Sequence, residues 1–275
     1  MTYEVSDHAA ASIRAAGSQG RPRSPRSFVS LAGLHARMQL LETVRIPVAV
    51  IGNFFFPAMA LLFFVVPNAE VAQDPTLATV AVAQLALFAV MSTSLFSYGT
   101  GVAEDRALPF DAYQRTLPAA AAPRTAGRIV NGVIWTAAAL VPVVLIGALL
   151  TEASLSFWRF ALGFLVVLAI SVPFTLMGLA IGYSLPAKAA LAVVQLTLFP
   201  LAFAGGLFLP PETFPRWLDV ISQGLPSRAG RDLLAQILTG EGSAALALPV
   251  LLVWTLVFAA LTVWAYRRDE GRRFR

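Results

Sequence analysis

Charged and aromatic side chains that could bind a partner are concentrated in one stretch of an otherwise apolar chain. The members of this stretch are Glu104, Asp105, Arg106, Phe110, Asp111, Tyr113 and Arg115. Apolar anchors between mixed charges are typical of a protein docking surface, because the anchors supply contact area and the charges supply specificity. The alternative is a surface helix that only caps a bundle, and the residue pattern favours neither.

Reactive groups are otherwise scarce. The chain has no cysteine and two histidines, His8 and His35, both near the N-terminus, so thiolate sites and histidine-dependent hydrolases lack their residues. A P-loop needs Gly-Lys followed by Ser or Thr, whereas the single lysine, Lys188, precedes Ala189. We predict no catalytic residue, no metal site and no cofactor in this chain, and we expect any energy source to lie outside it.

The composition requires a membrane. Hydrophobic residues make up 57% of the 275 residues and charged residues 13%, and the mean hydropathy is +0.73. Soluble domains contain about 25% charged residues. A soluble enzyme and a disordered chain are therefore excluded.

Charged residues divide the chain into six long charge-free runs of 23 to 29 residues each. A helix of that length reaches about 34 Å, which exceeds a hydrocarbon core of about 30 Å. The predicted spans are about 46–67, 77–98, 129–150, 160–184, 189–209 and 244–266. We predict an all-α membrane protein with six transmembrane helices, together forming one domain over 28–268.

The basic residues predict the orientation. An even number of spans places both termini on one side, and 16 of the 20 basic residues then share that side. Arginine and lysine are retained in the cytoplasm, so both termini are predicted to be cytoplasmic. Residues 1–27 contain no apolar leader and read as a disordered tail, and 269–275 as a short basic tail.

Three features lie outside or between the predicted spans. An N-terminal interfacial helix is predicted over 28–45 from apolar residues at helical spacing, namely Phe28, Leu31, Leu34, Met38, Leu41 and Val44. Two short outer-leaflet helices are predicted over 210–243, with Glu212, Trp217 and Pro226 in a re-entrant segment. Gly178 and Gly182 form a GxxxG pair that permits close helix packing.

Four of these features together resemble the membrane subunit of ABC-2 type transporters, the permeases of bacterial drug and polysaccharide exporters. They are the interfacial helix, an acidic–Arg stretch leading to Leu-Pro, a small-residue run ending in proline, and a Pro-x-Trp-Leu…Leu-Pro segment. The residues that carry them are Glu104–Arg106, Thr116–Pro118, Gly127–Arg128, Ala204–Pro210, Pro215–Leu218 and Gly224–Pro226. The chain has Ala107-Leu108-Pro109 where the family often has glycine-threonine.

The resemblance implies a six-helix half-transporter in the bacterial plasma membrane. Two such subunits pair as a homodimer or a heterodimer, and two copies of a separate ATP-binding subunit, which holds ATP and Mg²⁺, dock below. Residues 100–117 match the family's coupling helix. The usual task is export of a hydrophobic drug, antibiotic or lipid-linked compound. The alternatives are a non-transporting regulatory or assembly protein and, with less support from the residues, a membrane-embedded lipid-modifying enzyme.

Overall fold

The computed structural model describes residues 28–45, 55–108, 121–240 and 243–272. Within these ranges the chain is helical and forms no β-strand. Five helices are long and apolar enough to cross a membrane: Pro75–Ala107, Gly127–Leu150, Phe157–Ser184, Ala187–Ala204 and Ala247–Asp269. The predicted all-α membrane architecture is confirmed, while the number of six spans stays a prediction.

The helices are numbered in chain order. They are α1 (Phe28–Val44), α2 (Phe55–Val65), α3 (Ala69–Ala72), α4 (Pro75–Ala107), α5 (Ala121–Leu150), α6 (Phe157–Ser184), α7 (Ala187–Ala204), α8 (Arg216–Gln223), α9 (Pro226–Thr239) and α10 (Ala247–Arg272). A short 3₁₀ turn, Pro211–Thr213, lies between α7 and α8. Helix α10 continues to Arg272, so it extends into the predicted basic tail.

The first predicted span is only partly described. Its residues 46–54 lie outside the described ranges, as does the predicted disordered tail, 1–27. The part of this span that the structure describes is α2, which ends in a π-helical turn over Leu61–Val65. A helix of this length is too short to cross a bilayer by itself.

Helix α4 forms the centre of the bundle. Asp74 caps its N-terminus by accepting a hydrogen bond from the Leu77 N–H at 2.8 Å, and Pro75 occupies the first turn. In the most apolar 18-residue stretch of α4, 72% of the residues are buried, against 11 to 33% in the other four long helices. Helices α5, α6 and α9 pack around α4. The other long helices keep wide apolar faces exposed, which are stable only in lipid or against another apolar surface.

The N-terminal helix α1 packs on the bundle through its small residues. Its predicted apolar stripe is largely exposed, with Phe28 at 53% and Met38 at 61%, whereas Ala32 and Ala36 are buried. These alanines face Gly127 of α5, where an added Cβ would lie 2.8 Å from the Ala32 carbonyl oxygen. Close helix contact selects small residues, so the large apolar side chains of α1 point away from the bundle.

Helix α9 enters the interior of the bundle. An added Cβ on Gly230 would lie 2.8 Å from Ile170 in the middle of α6 and 3.2 Å from Leu87 in the middle of α4. The Ser227 hydroxyl donates to the Leu201 carbonyl oxygen of α7 at 2.6 Å. The other end of α9 reaches Gly163, near the start of α6, through Leu238. The helix therefore lies among the long helices, with its N-terminal end innermost.

Candidate functional site

A set of ionic contacts ties together the helix ends at one end of the bundle. Arg106 donates through Nη1 to the carbonyl oxygens of Gly182 at 2.6 Å and Leu185 at 3.2 Å. Its Nη2 forms an ion pair with Asp269 of α10, and the two side chains are only 18% and 5% exposed. Arg106 thus joins the end of α4 to the ends of α6 and α10.

A second ion pair at the same end joins α4 to α5. Asp105 accepts from Arg128, and the side chains are 48% and 25% exposed. The Tyr98 hydroxyl donates to the Arg128 carbonyl oxygen at 3.3 Å. We name Asp105, Arg106, Arg128 and Asp269 the arginine clasp. The clasp end of the bundle also carries Lys188 at the start of α7.

The predicted coupling residues separate into three groups. Glu104 is exposed at the end of α4, whereas Asp105 and Arg106 are held in the clasp. The other four, Phe110, Asp111, Tyr113 and Arg115, lie outside the described residues. The acidic–Arg sequence therefore presents one carboxylate outward and directs its arginine into the bundle.

Helices α4 and α6 approach each other closely next to the clasp. An added Cβ on Gly178 would lie 3.0 Å from the Ser94 carbonyl oxygen, and one on Gly182 would lie 2.5 Å from the Tyr98 carbonyl oxygen. Their partner is the part of α4 that leads into and forms the π-helical turn Phe96–Thr100. The GxxxG pair thus lets the backbones approach closely enough for Arg106 to reach the Gly182 carbonyl.

A second polar assembly lies where α9 crosses α4, towards the opposite end of the bundle. Asp232 accepts from Arg228 Nε at 2.7 Å and from Arg231 Nη1 at 2.8 Å. With the Gln84 amide oriented so that its oxygen faces α9, that oxygen accepts from Arg231 Nε at 3.0 Å. The side chains of Arg228, Arg231 and Asp232 are 13%, 11% and 20% exposed. We name Gln84, Arg228, Arg231 and Asp232 the outer network.

The outer network also holds the preceding helix, α8. Arg228 Nη1 donates to the Asp219 carboxylate at 3.3 Å and to the Ser222 hydroxyl oxygen at 3.0 Å. The Gly224 carbonyl oxygen, in the turn between the two helices, accepts from the Trp254 indole of α10 at 2.8 Å. Helices α8 and α9 therefore form a hairpin that is fixed to both α4 and α10.

The three residues predicted in the outer re-entrant segment have different environments. Glu212 is highly exposed and lies 3.9 Å from Arg231. Trp217 is 65% exposed on α8, and Pro226 is buried at the first turn of α9. The structure thus brings Glu212 and Pro226 to the hairpin, while the Trp217 ring points away from it.

Comparison of the sequence with known protein families identifies the family of this chain. Residues 34–239 match the profile of the family described as ABC-2 type transporter. The chain belongs to the ABC-2 type transporter family. It is also similar to a Bacillus subtilis (strain 168) protein named Putative transport permease YvfS, with 21% identity over 187 residues that cover 68% of this chain and 76% of that protein.

In this ABC-2 type transporter the family match covers most of both polar assemblies. The whole outer network lies within residues 34–239, as do three members of the clasp. Asp269 lies beyond the matched region, so the clasp attaches α10 to the matched part of the chain. Across the ranges that the structure describes, no group of three or more His, Asp or Glu side chains could hold a metal ion.

Sequence reasoning missed Asp269 and the outer network. Asp269 was assigned to a basic tail, although it is an acid directly after Arg267 and Arg268. The sequence predicts that 210–243 lies on or dips into the outer leaflet and indicates no ion pair there, although Arg228 and Asp232 have the i,i+4 spacing of a helical ion pair. Gln84, the one amide in the second charge-free run, was the available signal for a polar partner inside the bundle.

Proposed function

We propose that this transporter is the membrane subunit of an ATP-driven exporter whose substrate is a hydrophobic drug, antibiotic or lipid-linked compound. The family match over 34–239 carries the proposal. The sequence contains no P-loop, which supports ATP and Mg²⁺ being bound by a separate subunit. The similarity to a protein named as a transport permease is in keeping with transport.

The proposed orientation places the clasp end of the bundle in the cytoplasm of a bacterial cell, with the plasma membrane around the long helices. Arg106, Arg128, Lys188 and Arg267 all lie at this end. Basic residues favour the cytoplasmic side of a membrane protein. Both termini are then cytoplasmic, and the α8–α9 hairpin opens towards the outside.

The proposed contact with the ATPase subunit begins at Glu104. This carboxylate is exposed where α4 ends, and the aromatic and charged residues of 109–120 follow directly. Arg106 is proposed to position this contact rather than to make it, because its guanidinium is occupied by Gly182, Leu185 and Asp269. The acidic and basic side chains therefore have separate tasks.

The proposed complex contains two permease subunits, identical or related, and two ATPase subunits. The exposed apolar faces of the long helices, with examples at Leu149, Leu196 and Leu256, leave room for a second permease as well as lipid.

Purification of the tagged full chain in a mild detergent tests the proposal. We expect a soluble protein with a P-loop to co-purify in a one-to-one ratio, and the pair to hydrolyse ATP when the chain alone does not. Purification without any nucleotide-binding partner, from cells that express the neighbouring genes, would contradict the proposal and favour the regulatory or lipid-modifying alternatives.

A further inference from the structure

A shallow, open groove of about 700 Å³ lies on one face of α10 near the clasp end of the bundle, and all the residues that line it belong to this helix. Its lining consists of Ala259, Ala260, Val263, Trp264, Arg267 and Arg268. Val263 and Trp264 are 49% and 54% exposed, and the two alanines have no side-chain atom beyond Cβ. The alanines therefore form a low apolar floor, and the larger side chains follow them along the same face of the helix.

The arginine at the end of the groove is held by an aromatic ring. The guanidinium carbon of Arg268 lies 5.2 Å from the centroid of the Trp264 ring, within the range of a cation–π interaction. Exposed tryptophan rings of membrane proteins lie at the level of the lipid headgroups. The positive charge of Arg268 is thereby held at the depth where phospholipid phosphates lie.

The position of Arg268 over the ring follows from helix geometry. Side chains four positions apart lie on one face, and helical side chains lean towards the N-terminus, so Arg268 reaches back over Trp264. Helix α10 continues to Arg272, so both arginines project from a helical backbone.

The acid that follows the two arginines points away from the groove. Asp269 is bound to Arg106 in the clasp, and its side chain is 5% exposed. Arg267 and Arg268 are exposed on the groove side of α10. The groove therefore combines an apolar floor with positive charge at one end, and the neighbouring carboxylate is directed into the bundle.

We propose that this groove binds an anionic phospholipid. Arg267 and Arg268 hold the phosphate, and one acyl chain lies along Ala260 and Val263. A soluble phosphate compound would leave the apolar floor unused, so the occupant is a lipid. The site lies outside the clasp and the outer network, and its occupancy needs neither ATP nor a transported substrate.

Tryptophan quenching by brominated lipids in symmetrical vesicles tests the proposal. The full chain is placed in vesicles that contain either dibrominated phosphatidylglycerol or dibrominated phosphatidylcholine. The emission of Trp264 is obtained as the difference between the emission of the unmodified chain and that of W264F. We expect phosphatidylglycerol to quench this emission with at least about fivefold higher apparent affinity, since one arginine near an anionic lipid contributes about that factor. In R267Q/R268Q we expect the two lipids to quench equally.

A second variant separates the groove from general attraction of anionic lipid to a basic protein. A260L fills the floor and keeps both arginines, so it is expected to abolish the preference at Trp264. R216Q, which removes an exposed arginine beside Trp217, is the matched control and should retain it. Equal quenching of the unmodified chain by both lipids, or an undiminished preference in A260L, would overturn the proposal. Neither result bears on the ATPase subunit, so the proposed function is tested separately.

Discussion

Arg106 of α4 forms an ion pair with Asp269 of α10, 163 positions later in the chain. The pair is largely buried, and Arg106 also satisfies two carbonyl oxygens of the segment that ends α6. One side chain thus fixes the relative positions of three long helices at the clasp end.

Removal of the Asp269 charge should destabilise the bundle. In D269N the Arg106 guanidinium stays buried but loses its ionic partner. Breaking a buried ion pair in this way costs about 3 kcal/mol or more. We expect a clearly lower midpoint of thermal unfolding in detergent. The matched control is D105N, whose pair with Arg128 is more exposed and should contribute less than about 1 kcal/mol. Equal losses in the two variants would show that Arg106 does not depend on Asp269.

A methyl group at position 182 should disrupt the contact between α4 and α6. An added Cβ there would lie 2.5 Å from the Tyr98 carbonyl oxygen and 2.9 Å from that of Gly99, both of which are backbone atoms. We expect G182A to lower expression of folded protein and its unfolding midpoint. G33A on α1, where nothing lies within 4 Å of an added Cβ, should be neutral or stabilising by up to about 1 kcal/mol. Unchanged stability of G182A would mean that the helices do not pack at this distance.

Loss of the Gln84 amide should weaken the attachment of α9 to α4. In Q84L, Arg231 loses an uncharged acceptor inside the bundle, and hydrogen bonds to charged groups contribute about 1.5 to 3 kcal/mol. Q195L, on the exposed face of α7, is the control and should be unchanged. Limited proteolysis within 240–243 measures release of the hairpin, and equal cleavage of Q84L and the unmodified chain would contradict the assignment.

Charge reversal at Glu104 should affect the partner and leave the fold intact. The carboxylate is exposed, so E104R is expected to keep the unfolding midpoint while reducing the co-purified ATPase subunit by at least about fivefold, because opposed like charges weaken an interface. E70R carries the same reversal at an exposed position of α3 and should leave the ratio of the subunits unchanged. An unaltered ratio in E104R would place the ATPase contact elsewhere.

Charge reversal at Arg106 should destabilise the bundle, unlike charge reversal at Glu104. In R106E a glutamate would face Asp269 and the Gly182 carbonyl in a poorly solvated position. We expect loss of folded protein, so this variant cannot report on coupling.

The long helices could be predicted because a long charge-free run fits the membrane interior, whether its side chains contact lipid or, as in α4, the neighbouring helices. The family resemblance rested on short loop motifs, and the profile match over 34–239 supports it. Pairings between distant positions could not be predicted, because neither Arg106 nor Asp269 carries a local signal of its partner. The polar partners of α9 could not be predicted either, because the contacts of its arginines with Asp232 and Gln84 depend on how α9 packs against α4.

The continuous helix α4 contacts both polar assemblies, through Gln84 near one end and Arg106 near the other. About 30 Å of helix separates these two residues along its axis. Because α4 is enclosed by its neighbours, it can tilt only if they tilt with it. A displacement of the clasp would therefore reach the α8–α9 hairpin through movement of α4 as one body with the helices around it.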